Sequence, residues 1–178
     1  KSKLQLVNIP ENNYFVDKIE FLNLSNFQIS TLFKPKIINF KGQGKYSLNE
    51  IDLLNIELEN IFINEKINFK LDFDYKNSFD LPLINYKKSK NSLANVKLDL
   101  EKTQDKIKIN NLEYKEKENL ISINSLLLED LSLSSFKNIK VKTLNNDFLI
   151  QNLKKISVKG NQFDASNLGK FISNKENK

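Results

Sequence analysis

Ile67-Asn68-Phe69-Lys70-Leu71-Asp72-Phe73-Asp74-Tyr75 alternates apolar and polar residues without a break. Side chains of an extended strand point to opposite faces in turn, so this stretch has one oily side and one wet side. The pattern repeats along the chain. Val96, Leu98 and Leu100 alternate with Lys97, Asp99 and Glu101, and Ile107 with Ile109, Ile121 with Ile123, Ile139 with Val141, and Ile156 with Val158 continue it. Each run suits an antiparallel strand that buries a single side.

Between the runs lie polar segments such as Asn110-Asn111, Lys115 to Asn119, Asn145-Asn146-Asp147 and Lys159-Gly160-Asn161. Their spacing of roughly ten to fifteen residues predicts a meander of long hairpins. Glycine and proline are scarce, at 4 and 3 residues, whereas asparagine numbers 27. Asparagine tolerates left-handed φ and is expected to replace glycine in several turns. The alternation slips at Phe21-Leu22, Ile37-Ile38, Leu53-Leu54 and Leu126-Leu127-Leu128. Bulges would explain this, and so would apolar residues on both faces. Residues 77–92, with Pro82 and Lys87-Lys88-Ser89-Lys90, read as a long connection. From Asp164 onward, Leu168, Phe171 and Ile172 at helical spacing predict a short capped helix, with frayed residues after it.

The expected fold is therefore all-β: an extended, mainly antiparallel sheet plus a short C-terminal helix. The chain begins at Lys1, and residues 1–178 are expected to be one β-rich segment of a longer protein.

Composition narrows the chemistry. All 28 basic residues are lysine, and His, Cys, Met and Trp are absent. Without His the usual agent of acid–base catalysis near neutrality is missing, and without Cys there is no thiolate nucleophile or disulfide. Without Arg there is no bidentate guanidinium contact to phosphate or guanine. No catalytic, metal-binding or cofactor-binding set emerges, and a carboxylate-only glycosidase is the one enzyme that could be built. The net charge of +6 comes from interspersed lysines and acids, which speaks chiefly to solubility. No apolar run approaches the ~20 residues a membrane span requires.

Two local patterns are weighed and set aside. Asp72 and Asp74 share a strand face, but with Asn68 and Lys70 as neighbours they read as a solvated face rather than a cation site. Lys41-Gly42-Gln43-Gly44-Lys45 faintly resembles a phosphate loop; it has no third glycine and no helix start, so it reads as a bulge or turn. The aromatics Phe69, Phe73 and Tyr75 fall on the apolar side with Ile and Leu, which disfavours base stacking and nucleic acid. Alternation alone leaves the apolar face either sealed in a closed core or open as a groove.

A resemblance bears on that choice. Asp80-Leu81-Pro82-Leu83-Ile84-Asn85-Tyr86-Lys87-Lys88 is followed by Leu93-Ala94 and the Val96 strand. Further hairpins follow, and the segment closes on Gly160-Asn161-Gln162-Phe163-Asp164-Ala165-Ser166 and Leu168. Over residues 66–172 this order of features resembles the AsmA-like family, in particular its large YhdP- and TamB-type members. Residues 1–65 add further strands.

The resemblance implies a curved sheet with an apolar concave, groove-like face, in a periplasmic protein anchored in the inner membrane of Gram-negative bacteria. It implies phospholipid or another acyl lipid as partner, membrane contact through other parts of the parent chain, no cofactor and no catalysis. On it, the lipid-groove positions are Ile67, Phe69, Leu71, Phe73, Val96, Leu98, Leu100, Ile107, Ile109, Ile121, Ile123, Ile139, Val141, Ile156 and Val158. The alternative expectation is a closed structural or adhesive β-module of a bacterial surface lipoprotein.

Overall fold

The computed structural model describes residues 2–5, 20–49 and 52–167. It is all-β, as the alternation predicts. The strands are β1 (Ser2–Gln5), β2 (Phe21–Lys34), β3 (Ile37–Leu48), β4 (Leu54–Ile63), β5 (Lys66–Tyr75), β6 (Phe79–Leu81), β7 (Tyr86–Lys88) and β8 (Ala94–Lys102). They continue as β9 (Lys106–Glu116), β10 (Asn119–Glu129), β11 (Ser132–Ser135), β12 (Asn138–Thr143), β13 (Asn146–Asn152) and β14 (Ile156–Gln162).

Twelve of them form one open antiparallel sheet in the order β1-β2-β3-β4-β5-β8-β9-β10-β12-β13-β14, with β11 also paired to β10. The small β6–β7 hairpin is separate. Since β10 pairs with β12 along its first half and with β11 at its end, β11 and β12 act as one strand broken at Phe136-Lys137.

Asparagine does part of the turning; Lys36, Glu65, Lys117, Ser125, Asp130 and Leu131 also take positive φ. Asn26, Asn49, Asn64, Asn85 and Asn91 all have positive φ, whereas no described glycine does. The glycines serve close approach instead. Asn26 (φ 49°) sits in a bulge of β2 between Ser25 and Gln28. That bulge brings Phe27 against β3, where a Cβ on Gly42 would lie 2.6 Å from the Phe27 ring. One on Gly44 would lie 2.6 Å from the Phe27 backbone. The glycine pair thus leaves room for Phe27.

The phase slips have both anticipated causes. At Leu126-Leu127-Leu128 the cause is a bulge. Asn110 of β9 and Ser125 of β10 (φ 54°) are extra residues facing each other, flanked by Asn111↔Asn124 and Ile109↔Leu126. Leu126 and Leu128 thereby rejoin the row of Ile109 and Ile107, while Leu127 opposes Lys108. At Ile37-Ile38 the strand is regular and both faces are apolar.

The predicted connection 77–92 is better ordered than a linker. It folds as β6, a 3-10 turn (Pro82–Ile84) and β7, and lies over one end of the sheet. The helix expected through Leu168, Phe171 and Ile172 falls outside the described residues; Asp164 to Asn167 form coil and a turn.

Candidate functional site

Cross-strand register assigns every side chain to a face. Leu58, Leu71, Leu98, Leu112, Ile123, Ile139, Ile150 and Val158 stand opposite one another in sequence, a continuous apolar row from β4 to β14. A second row runs Ile56, Phe73, Val96, Tyr114, Ile121, Val141 and Phe148 beside it. Phe69, Leu100 and Ile109 belong to a third row, and Ile67 and Ile107 flank Lys102 in a fourth. Ile156 pairs with Asn152 in register with Val158. All fifteen positions singled out in the sequence therefore share one face. The bulges preserve this arrangement by returning each strand to the common phase.

The opposite face is charged and largely self-compensated. Lys41, Glu59, Lys70 and Asp99 oppose one another in alternating sign across β3, β4, β5 and β8. Lys41 pairs with Glu59 at 2.9 Å, and Lys97 with Asp72 at 3.3 Å. The hydrogen bond from Lys41 holds the Glu59 carboxyl below its ordinary value. Asp72 and Asp74 also accept from Asn95, at 2.8 and 3.3 Å, so they are occupied within the sheet. A hollow of about 800 Å³ is bordered by these polar rows, including Gln43, Glu57, Lys70 and Lys97. Among the described residues no cluster of three His, Cys, Asp or Glu could hold a metal.

Part of the apolar face is covered by the chain itself. The segment from β6 to β7 forms a plug whose Ile84 and Tyr86 are buried with Ala94, Tyr114, Val141 and Phe148. Phe79 of the plug meets Tyr114 edge-on, with ring centroids 5.1 Å apart. Val96, Ile121 and Ile139 pack against this cluster. Of the fifteen positions, Val96, Ile121, Ile139 and Val141 are thus engaged by the plug. Ile156 and Val158 lie at the other extreme, 66% and 65% exposed.

A polar latch secures the plug. Lys88 is wholly buried; its ammonium donates to the carbonyls of Lys76 and Ser89, both at 3.1 Å, and to that of Ser92. The ammonium also lies 5.5 Å from the centre of the Tyr75 ring. Ser92 donates to one oxygen of Glu116, and Tyr86 donates to the other. The Tyr86 and Tyr114 hydroxyls lie 2.6 Å apart. Desolvation pushes the Lys88 pKa down, against the attraction of Glu116. For Glu116, burial acts to raise the pKa, but hydrogen bonds from Ser92, Tyr86 and Asn119 outweigh it and hold the carboxyl below its usual value. Burial, followed by the bond to Glu116, raises Tyr86.

A second fastening joins plug and C-terminal strand. Asn146 is fully buried and donates to the Ile84 carbonyl at 2.8 Å, and its own side-chain oxygen accepts from the Asp164 backbone at 2.9 Å. Asn85 donates to Asp164 at 2.8 Å, and Asn167 reaches the Pro82 carbonyl at 3.2 Å. The Leu81–Lys88 and Gly160–Ser166 segments, which carry the sequence resemblance, thus meet in space. Alternation could not reveal the latch, because Lys88 and Glu116 are charged residues that periodicity assigns to solvent.

No family model, curated protein or solved structure matches this chain. Its function rests on its own geometry.

Proposed function

We propose that this protein binds acyl lipid along its apolar sheet face, as a non-catalytic segment of a periplasmic AsmA-like lipid conduit. The observation that carries the reading is the row from Leu58 to Val158, continuous in register and packed against the plug cluster only at Ile139 and Ile150. Eight residues at the interstrand spacing of about 4.8 Å extend over about 34 Å. That exceeds the length of one lipid tail, which is about half of a ~30 Å hydrocarbon core. Burial is worth about 0.8 kcal/mol per methylene, so a two-tailed lipid strongly prefers such a face to water. The contact is non-directional, which favours sliding from strand to strand. Headgroups remain in solvent.

The open sheet and the exposure of Ile156 and Val158 support this reading over a closed structural module. Inner-membrane anchoring and transport between the two membranes belong to the parent chain in this proposal.

Native mass spectrometry of the purified chain tests it. Co-purifying phospholipid is expected, with ultraviolet crosslinking to tails from a photoreactive residue at position 98. Absence of both bound lipid and crosslink overturns the proposal.

A further inference from the structure

Over most of the sheet one face is oily and the other charged, but at the β2–β3 and β4–β5 tips both faces are apolar. Phe33, Ile38 and Phe62 oppose one another on the groove side and are 72%, 42% and 39% exposed. On the other side Ile37 opposes Ile63, and Leu32 is 51% exposed. A hollow of about 620 Å³ is formed among Phe33, Ile37, Ile38, Phe62 and Ile63, with Lys34, Lys36, Asn64 and Glu65 also lining it. Both lysines are exposed at the chain reversal, and neither forms an ion pair with a described residue. Glu65 is the one acid on the two turns. These tips lie at the opposite end of the strands from the plug, which follows Tyr75 at the far end of β5.

Apolar side chains on both faces of a hairpin tip, flanked by two lysines with no ion pair among the described residues, suit an interface with hydrocarbon below and anionic headgroups above. A second copy docked tip to tip would bring four lysines together, which like-charge repulsion opposes. We infer that the β2–β3 tip, with Phe62 beside it, docks on an anionic phospholipid bilayer. Phe33 and Ile38 enter the acyl boundary, while Lys34 and Lys36 meet the headgroup phosphates. The docking does not depend on lipid being carried along the sheet face.

Co-sedimentation of the chain with vesicles of equal parts phosphatidylglycerol and phosphatidylcholine tests this, with pure phosphatidylcholine as comparison. Binding to the anionic vesicles is expected, weakening with salt. The double substitution Lys34→Ser/Lys36→Ser should lower affinity roughly thirtyfold. Lys140→Ser/Lys142→Ser removes the same charge from exposed positions on β12 and should change it little.

Because the chain has no tryptophan, Phe33→Trp supplies a single indole, excited apart from the tyrosines, whose emission should shift to the blue on anionic vesicles. Equal binding of the two lysine pairs, or no blue shift, overturns the inference. So does concentration-dependent dimerisation that Phe33→Ser abolishes while vesicle binding persists. Native mass spectrometry of the tip variants reads the sheet face separately: retained lipid with lost docking leaves the conduit reading standing, and the converse leaves the tip standing.

Discussion

The side-chain amide of Asn85 donates to the Asp164 carboxylate at 2.8 Å, joining residues 79 positions apart in the chain. Asn85 holds a left-handed conformation, φ 46°, closing the 3-10 turn of the plug. One residue thus serves both as turn and as tie. Asn85→Gly keeps the turn and loses the tie, whereas Asn85→Ala loses both. The alanine variant should be the less stable by about 1 kcal/mol. Denaturant titration of the pair measures the difference.

The latch gives a pH prediction. The folded Glu116 carboxyl titrates below its unfolded counterpart. The unfolded chain therefore takes up a proton first as pH falls, and stability present above the ordinary glutamate range is lost on descent through the depressed value. Glu116→Gln should cost about 1–3 kcal/mol at neutral pH by disturbing the bonds from Ser92 and Tyr86. It should also flatten the acid limb of the stability–pH curve. Urea midpoints across acid pH for both proteins read the two effects.

Lys88→Met tests the carbonyl cage. It removes the charge but leaves the carbonyls of Lys76, Ser89 and Ser92 without their donor, an expected cost of about 2–4 kcal/mol. Hydrogen exchange should show the loss first in Phe79 to Lys88, before the β3–β4 hairpin loosens.

Phe27 and the glycines beneath it predict a rescue. Gly42→Ala collides with the Phe27 ring and should destabilise by about 1–3 kcal/mol. Phe27→Ala should recover part of that cost, a coupling visible in a double-mutant cycle. Gly44→Ala collides with the Phe27 and Asn26 backbone, so the same second change should recover little.

Stability and lipid occupancy should separate along the apolar face. Val141 is buried under the plug, and Val141→Ala should lower stability by about 1–2 kcal/mol. Val158 is exposed, and Val158→Gln should change stability by less than about 0.5 kcal/mol. On the lipid-binding proposal it is Val158→Gln that reduces bound phospholipid.

Strand identity and facing were legible from residues such as Phe69, Leu71 and Leu98, because burial on one face enforces a strict period of two. Turn chemistry was legible only in part: Asn64, Asn85 and Asn91 take positive φ, but so do Lys36, Lys117, Asp130 and Leu131, and Asn110-Asn111 and Lys159-Gly160-Asn161, expected to separate strands, lie inside β9 and β14. What the pattern could not convey was the second layer. Tyr86, Lys88 and Glu116 are brought together by a fold-over of the chain, and nothing in local alternation encodes a contact across it. Leu126 to Leu128 show a related limit, since a bulge resets the phase by one residue and only the partner strand discloses where.

Each strand of the main sheet pairs with its nearest sheet neighbour in sequence, the plug being the sole insertion between β5 and β8. Such a sheet has low contact order and behaves almost as a one-dimensional array, in which each hairpin answers mainly to the one before it. Its span is then a modular quantity. Adding or deleting one two-strand unit of matching phase changes the apolar track by about 10 Å and leaves every other register intact. A lineage of such proteins could lengthen or shorten its apolar track by gene-internal duplication, without redesigning a core.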